Sequence, residues 1–282
     1  MKLRIMSNNI WWIDNNSPAW EEKGENCSAE VRIPGFVRMY SETNPDVIGI
    51  QECSRKMVDL LMREISAKKL PYALAWGKDT PVLYRTDRFE LVNTEFLIYP
   101  EKVQGYEGSF NNHLTKSYCI AVLRIKESGK LFIFASTHLW WMSSDPASKN
   151  YAQYSDEARE YQLKMLIDRV TELEKKYGCP SIIAGDMNTR YDSLALKAAF
   201  VRGYVHAHDV AAEYADETMG MHYCYGDRFD TKPYQKGFTE SIDHILLRGF
   251  EDGFVRRFER FSPDYYMPLS DHFPVWIDVE LN

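Results

Sequence analysis

The stretch Asn44-Pro45-Asp46-Val47-Ile48-Gly49-Ile50-Gln51-Glu52 decides how the rest of the chain is read. Pro45 and Asp46 are turn formers, Val47 to Ile50 is a short apolar run of the kind found in buried strands, and Glu52 follows at its end, where a loop delivers a side chain to a cleft. The same order of apolar strand and then polar residue recurs on both sides. The strand-like segment Leu3 to Ile10 carries Asn9 at its end, Leu131 to Thr137 runs into His138, and Ser181 to Ala184 runs into Gly185-Asp186-Met187-Asn188. Ser241-Ile242-Asp243-His244 and Ser270-Asp271-His272 precede or open two further apolar runs.

Other β-like runs are Pro81 to Tyr84, Phe89 to Tyr99, Tyr118 to Ile125, Ile242 to Leu247 and Phe273 to Leu281. In the last, Phe273, Val275, Ile277, Val279 and Leu281 alternate with Trp276, Asp278 and Glu280, so one face is buried and the other meets water or another layer. Helical spacing is clearest from Ser155 to Tyr177, and two more helices are expected over Glu30 to Thr43 and Ser54 to Lys68. Many strands with interspersed helices suggest an α/β fold built as a four-layer sandwich, two packed mixed β-sheets flanked by helices, over a simple doubly wound sheet. Periodicity alone does not separate the two; the motifs do.

The chain has 282 residues, 45% of them hydrophobic and 14% aromatic, enough for a sizeable core, and no linker-like stretch or internal repeat divides it. Residues 1–282 are therefore expected to form a single catalytic domain. The net charge of -7 disfavours a general duplex binder, whose affinity comes chiefly from Lys and Arg on phosphates. The five cysteines, Cys27, Cys53, Cys119, Cys179 and Cys224, contain no CxxC pair and read as free thiols. With no membrane-spanning apolar run and no signal-peptide pattern, the expected protein is cytoplasmic, and a monomer is expected.

Each polar residue taken alone has an ordinary explanation. Asn9 or the Gly185 to Asn188 segment suits a turn, Glu52 or Asp271 a helix cap, and His138 a satisfied core histidine. Their joint occurrence at strand ends is what points to one site. In that order and with those neighbours, the motifs resemble the endonuclease/exonuclease/phosphatase family over nearly the whole chain, from Leu3-Arg4-Ile5-Met6-Ser7-Asn8-Asn9-Ile10 to Ser270-Asp271-His272-Phe273-Pro274-Val275. Asn44 to Glu52 and Ser270 to Val275 are specific together, whereas Gly185-Asp186-Met187-Asn188 or Thr137-His138-Leu139 alone is weak.

The resemblance implies a hydrolase acting on phosphate esters, with Mg²⁺ as cofactor or Mn²⁺ in its place. It implies Glu52 as principal metal ligand, Asn9 beside it or on the phosphate, and Asp271 at a second metal position or in an outer contact; hard cations favour such oxygens. Asp186 matches the residue that orients or deprotonates the attacking water, and Asn188 the one that holds the phosphoryl group. His138 and His272 would donate to non-bridging oxygens, one of them protonating the leaving oxygen, with Asp243 as the partner of His272. Arg159 and Gln162 match residues many relatives carry, against the alternative of a solvated helix face. Asp79 falls near an expected acidic partner without a clean spacing match and is left out of the site. His244 is expected behind the site, and His113, His206, His208 and His222 at the surface or behind it.

Partner classes remain open between a small phosphate ester and a single-stranded nucleic acid. Trp11, Trp12 and Trp20 after Asn9, and Trp140, Trp141, Tyr151 and Tyr154 after His138, are expected to overhang the cleft and stack on a compact polar group such as a sugar; the alternative is that several are core. A nuclease would need a basic rim, and the groups Arg55, Lys56, Lys68, Lys69 and Arg256, Arg257, Arg260 are diluted by acidic neighbours. A lipid phosphodiesterase would need an apolar anchor, for which Trp140-Trp141-Met142 is the candidate. A catalytically silent binding module would lack at least one of the motifs, and none is missing.

Overall fold

The computed structural model describes residues 1–214, 241–260, 263–266 and 268–280; His222, Cys224 and Leu281, singled out above, lie outside them. Along the chain run β1 (Lys2–Asn9), α1 (Pro18–Glu21), α2 (Ala29–Thr43), β2 (Val47–Gln51), α3 (Arg55–Ala67), β3 (Tyr72–Ala75), β4 (Val82–Arg85), β5 (Phe89–Ile98), β6 (Ser117–Ile125) and β7 (Leu131–His138). Then follow α4 (Ser155–Tyr177), β8 (Ser181–Asp186), α5 (Leu194–Val201), β9 (Val205–His206), α6 (Ala207–Val210), β10 (Glu213–Tyr214), β11 (Asp243–Arg248), β12 (Val255–Arg260) and β13 (Val275–Glu280).

Among the described residues the strands form a seven-stranded sheet, β10-β12-β13-β1-β2-β4-β3, and a six-stranded sheet, β5-β6-β7-β8-β11-β9. Both are mixed: β1 with β2 and β7 with β8 are parallel, while most other pairs are antiparallel. Ile5, Val47, Phe134, Ile245 and Ile277 are among the residues packed between the sheets. The outer face of the first sheet is covered by Phe36, Tyr40, Leu61 and Ile65 of α2 and α3, and that of the second by Leu163, Leu166, Val170 and Leu196 of α4 and α5. Helix, sheet, sheet and helix make the four layers expected from the sequence. Trp276 belongs to the α2 and α3 side, so the second face of β13 meets another layer.

Local chemistry explains why the deciding segment folds this way. Asn44 takes a left-handed conformation (φ 50°) and its N–H closes α2 on Tyr40 O, so the chain turns straight into β2. Gly49 is dictated by the sheet-to-sheet contact, since a Cβ there would sit 3.0 Å from the Phe134 ring and 3.1 Å from Ser136 Cβ. Ser54 then caps α3, accepting from Met57 N at 3.2 Å. Ser136 Oγ donates to Ile50 O and accepts from Gln51 Nε2, both at 3.0 Å, tying the two sheets together beside Glu52.

Several elements had no expectation: β3, β9, β10, β12, α1, α5 and α6. Strand β12, Val255-Arg256-Arg257-Phe258-Glu259-Arg260, reads as a basic run because its charges dominate, yet Val255 and Phe258 point into the core across a bulge between Val255 and Arg257. Helix α5, Leu-Ala-Leu-Lys-Ala-Ala-Phe-Val, is short and nearly uniformly apolar, which hides the helical period; Ser193 at its N-cap is the legible signal.

Arg32 on α2 is buried and donates only to main-chain carbonyls: Cys27 O at 2.7 Å, Ile10 O at 2.5 Å, Leu269 O at 2.7 Å, Trp11 O at 2.9 Å and Ile13 O at 2.5 Å. It fastens the loop after β1 to the loop before β13. Its burial pulls the guanidinium pKa down to about 10, so it remains charged at neutral pH. Arg32→Met would strand buried carbonyls, and a loss of about 3 kcal/mol or more is expected in denaturant unfolding. An unchanged unfolding midpoint would contradict that role.

Candidate active site

Strand register brings the candidate residues together. In the second sheet His138 pairs with Asp186 across β7 and β8, and Asp243 pairs with Asp186 across β8 and β11, so three chemically active side chains stand in one row. In the first sheet Asn9 pairs with Gln51, which places it next to Glu52. Gly185 permits the close approach of β7 and β8, because a Cβ there would lie 1.9 Å from Thr137 O. The loop before β13 supplies Asp271 and His272, held by Ser270 Oγ, which donates to Asn9 O at 2.7 Å and accepts from His272 N at 3.1 Å. Trp11 and Glu52 both adopt φ 60° and Asn188 φ 49°; for the first two this conformation is uncommon, and strain of this kind gathers at functional sites.

Asp186 is the hub. Its Oδ2 accepts from Asn9 Nδ2 at 3.0 Å and lies 3.4 Å from His138 Nε2 and 3.7 Å from His272 Nε2, while its Oδ1 accepts from Asn188 N at 2.9 Å. Burial raises its pKa to about 7, with the neighbouring His272 opposing the shift. His272 Nδ1 and Asp243 Oδ2 are 2.7 Å apart. Burial disfavours the His272 imidazolium, but the carboxylates of Asp243, Asp186 and Asp271 outweigh it and hold the pKa well above the usual value. His138 is the opposite case: burial and then the adjacent Lys116 drive its pKa well down, so this ring is neutral.

Glu52 Oε2 accepts from Trp12 N at 2.9 Å, and its Oε1 lies 3.7 Å from His138 Nε2. Glu52, His138 and Asp186 offer ligand atoms within 4.8 Å of one another, as do Asp186, Asp243 and His272. Asp271 Oδ1 is buried without a hydrogen-bond partner, and burial raises that carboxyl to about 6. An orphaned carboxylate oxygen beside a further carboxylate cluster is a donor set that fits a hard divalent cation. Asn9 Oδ1 accepts from Trp11 N at 2.9 Å, so the contacts present use Asn9 to hold Asp186 and the turn after β1.

Asn188, His138, Asp186, Glu52, Asp271 and His272 line one cleft of about 640 Å³, within the usual range of small-molecule sites. Two tryptophans flank it, Trp12 at 64% exposure and Trp141 at 43%. The other aromatics expected there divide. Trp11, Trp20 and Trp140 are core residues, the first two packed edge to face at 5.2 Å and Trp140 against Phe110. Tyr151 is exposed and Tyr154 half-buried, and neither lines the cleft.

Arg159 and Gln162 are buried, not a solvated helix face. Gln162 Oε1 accepts from Trp140 N at 2.8 Å, and Arg159 donates to Trp140 O at 3.1 Å and Met142 O at 2.6 Å, so α4 fixes the loop that carries Trp141. His244 lies behind the site: its Nε2 donates to Thr189 O at 2.8 Å, so its Nδ1 accepts from His206 Nε2 at 3.0 Å, and His206 Nδ1 accepts from His208 N. This bond pattern needs neutral rings, as burial dictates for both His206 and His244. His113 is exposed at the cleft rim.

Four cleft residues stood outside the sequence assignment, Asp79, His113, Thr115 and Lys116. Lys116 is buried, with Nζ 2.5 Å from His138 Nε2. Its signal was its place directly before β6, whose Ser117 pairs with His138.

Cys27, Cys53, Cys119 and Cys179 form no disulfide, and no helix among the described residues is long and apolar enough to cross a membrane.

No curated protein matches the chain in sequence. Solved structures do match in fold. An endonuclease/exonuclease/phosphatase from Bacteroides vulgatus aligns with TM-score 0.73 at 19% identity, covering 100% of both chains. A Bacteroides thetaiotaomicron mannosyl-6-phosphatase gives 0.69 at 22%, covering 99% of this chain and 100% of that one. D. rerio TDP2 complexed with single strand DNA product gives 0.66 at 17%, covering 99% of each. The family model described as "Endonuclease/Exonuclease/phosphatase family" matches residues 9–272, which takes in every motif from Asn9 to His272. The chain belongs to the endonuclease/exonuclease/phosphatase family.

Proposed function

We propose that residues 1–282 form one catalytic domain that hydrolyses a small, sugar-containing phosphate ester with the help of Mg²⁺ or Mn²⁺. The observation that carries the reading is the cleft itself, in which Glu52, His138, Asp186, Asn188, Asp271 and His272 converge beneath two exposed tryptophans. Glu52 and Asp271 would hold the cation, with Asn9 alongside. When bound, it supplies positive charge to the phosphate oxygens. Asp186 orients the attacking water and takes its proton, its own position fixed by Asn9 and by Asn188 N. The His272 imidazolium, kept charged by Asp243, donates to a non-bridging oxygen where charge builds up. The Asn188 side chain, anchored by donation to Leu139 O at 3.1 Å, holds the phosphoryl group in line.

The mannosyl-6-phosphatase neighbour supports a sugar phosphate. Exposed arginines on β12 and α3 are neutralised in pairs, Arg256 with Glu280, Arg257 with Glu259 and Arg55 with Asp59, which argues against a basic rim for a duplex. Trp140 being core leaves Trp141 as the exposed aromatic of the Trp140 to Met142 segment, too little for a lipid anchor. A second reading, cleavage at a single-stranded nucleic-acid end, is favoured by the TDP2 neighbour with its single strand DNA product.

A panel of sugar phosphates, nucleotides, single-stranded and duplex DNA at low salt separates the readings. Trp141→Ala should raise KM for the preferred sugar phosphate about tenfold, the scale of one stacking contact of about 1–1.5 kcal/mol. Robust duplex cleavage that survives Trp141→Ala, with no turnover of small esters, would overturn the proposal.

A further inference from the structure

Lys116 has a environment that calls for an anion. The residue is 6% exposed and lines the cleft, and among the described residues its ammonium contacts only the neutral imidazole of His138, with Nζ 2.5 Å from Nε2. An ammonium has three N–H donors, and no carboxylate among the described residues lies within ion-pair distance of this one. Burial disfavours the charged form of Lys116, and the carboxylates of Glu52, Asp186 and Asp79 only partly offset this from beyond ion-pair distance.

The position is built. Asn111 Nδ2 donates to Tyr99 O at 2.7 Å and Lys116 O at 2.8 Å, and its Oδ1 accepts from Lys116 N at 2.9 Å. This clamp closes the 111–116 turn and presents Thr115 and Lys116 to the cleft, with His113 at its rim.

We propose that Lys116 binds the third non-bridging oxygen of a terminal phosphate and so makes this site select phosphomonoesters over phosphodiesters. The inference rests on the phosphoester reading above and deepens it. A diester has two non-bridging oxygens and one negative charge, which the cation site at Glu52 and the His272 imidazolium already serve. A monoester at neutral pH is mostly a dianion with a third such oxygen. Lys116 stands on the His138 side of the cleft, and in a low-dielectric pocket a second charge is strongly discriminated.

The test compares a monoester, mannose 6-phosphate, with its methyl phosphodiester in Mg²⁺, for wild type, Lys116→Met and Lys116→Arg. It adds inhibition by inorganic phosphate against dimethyl phosphate on wild type alone. Wild type should favour the monoester, and inorganic phosphate should inhibit at least about tenfold more tightly than dimethyl phosphate. Lys116→Met should lose about a hundredfold in monoester kcat/KM and under tenfold on the diester, while Lys116→Arg keeps most of the preference. Equal losses on both esters, a wild-type preference for the diester, or equal inhibition by the two anions would overturn the role of Lys116 and leave phosphoester hydrolysis standing. Absence of metal-dependent turnover of either ester, or of any other phosphoester, would instead sink the reading on which it rests. If Lys116→Met does not fold, the wild-type inhibition ratio and Lys116→Arg decide.

Discussion

Glu52→Gln should leave the protein folded and reduce metal-dependent hydrolysis by about a thousandfold or more. That loss corresponds to several kcal/mol of charge stabilisation at the phosphate. The amide keeps the shape of the side chain and can still accept from Trp12 N through its oxygen, the contact that Glu52 Oε2 makes at 2.9 Å. What it loses is the negative charge that a hard cation requires. The check is kcat against Mg²⁺ concentration for both proteins, with thermal unfolding alongside. A variant that saturates with Mg²⁺ at the wild-type concentration and turns over at the wild-type rate would show that the cation sits elsewhere.

The second large effect is expected at His272. His272→Ala should lower kcat by about a hundredfold or more, with the metal dependence retained, because in the proposed mechanism this ring is the charged donor to the reacting phosphate. Asp243→Asn should reproduce part of that loss, since the 2.7 Å contact to Nδ1 both orients the ring and favours its charge. The two substitutions break the same contact, so the double variant should be little worse than His272→Ala alone. Additive losses would show that Asp243 acts independently of the histidine, and a rate within about threefold of wild type for His272→Ala would remove it from the reaction.

How far the sequence carried this picture depends on where the information lay. Strand ends were legible because an apolar run followed by Asn9, Glu52, His138 or Asp186 is a local pattern, and the register that unites them follows from pairing those strands. Helix α4 was legible from Ser155 to Tyr177 by its period alone, and in the structure Gly178 caps it at φ 61°. Contacts distant in sequence were not legible. Lys116 reads as one more surface lysine until β6 pairs with β7, and Arg32 as one more charge on α2 until five carbonyls converge on it. The tryptophans show the same limit: Trp11 and Trp12 are neighbours, yet Trp11 is core and Trp12 stands at the cleft, because the φ 60° turn at Trp11 sends the two side chains opposite ways. Asp79 was passed over on spacing and yet lines the cleft.

In the proposed reaction this cleft hydrolyses a phosphate ester with a divalent cation held by its carboxylates. The most direct test is to strip the wild-type protein with a chelator, assay phosphate release from a sugar-phosphate panel, and titrate Mg²⁺ back. No turnover is expected after stripping, and full, saturable recovery is expected as Mg²⁺ or Mn²⁺ is restored. Turnover that persists in chelator, or no phosphoester turned over at any metal concentration, would contradict it.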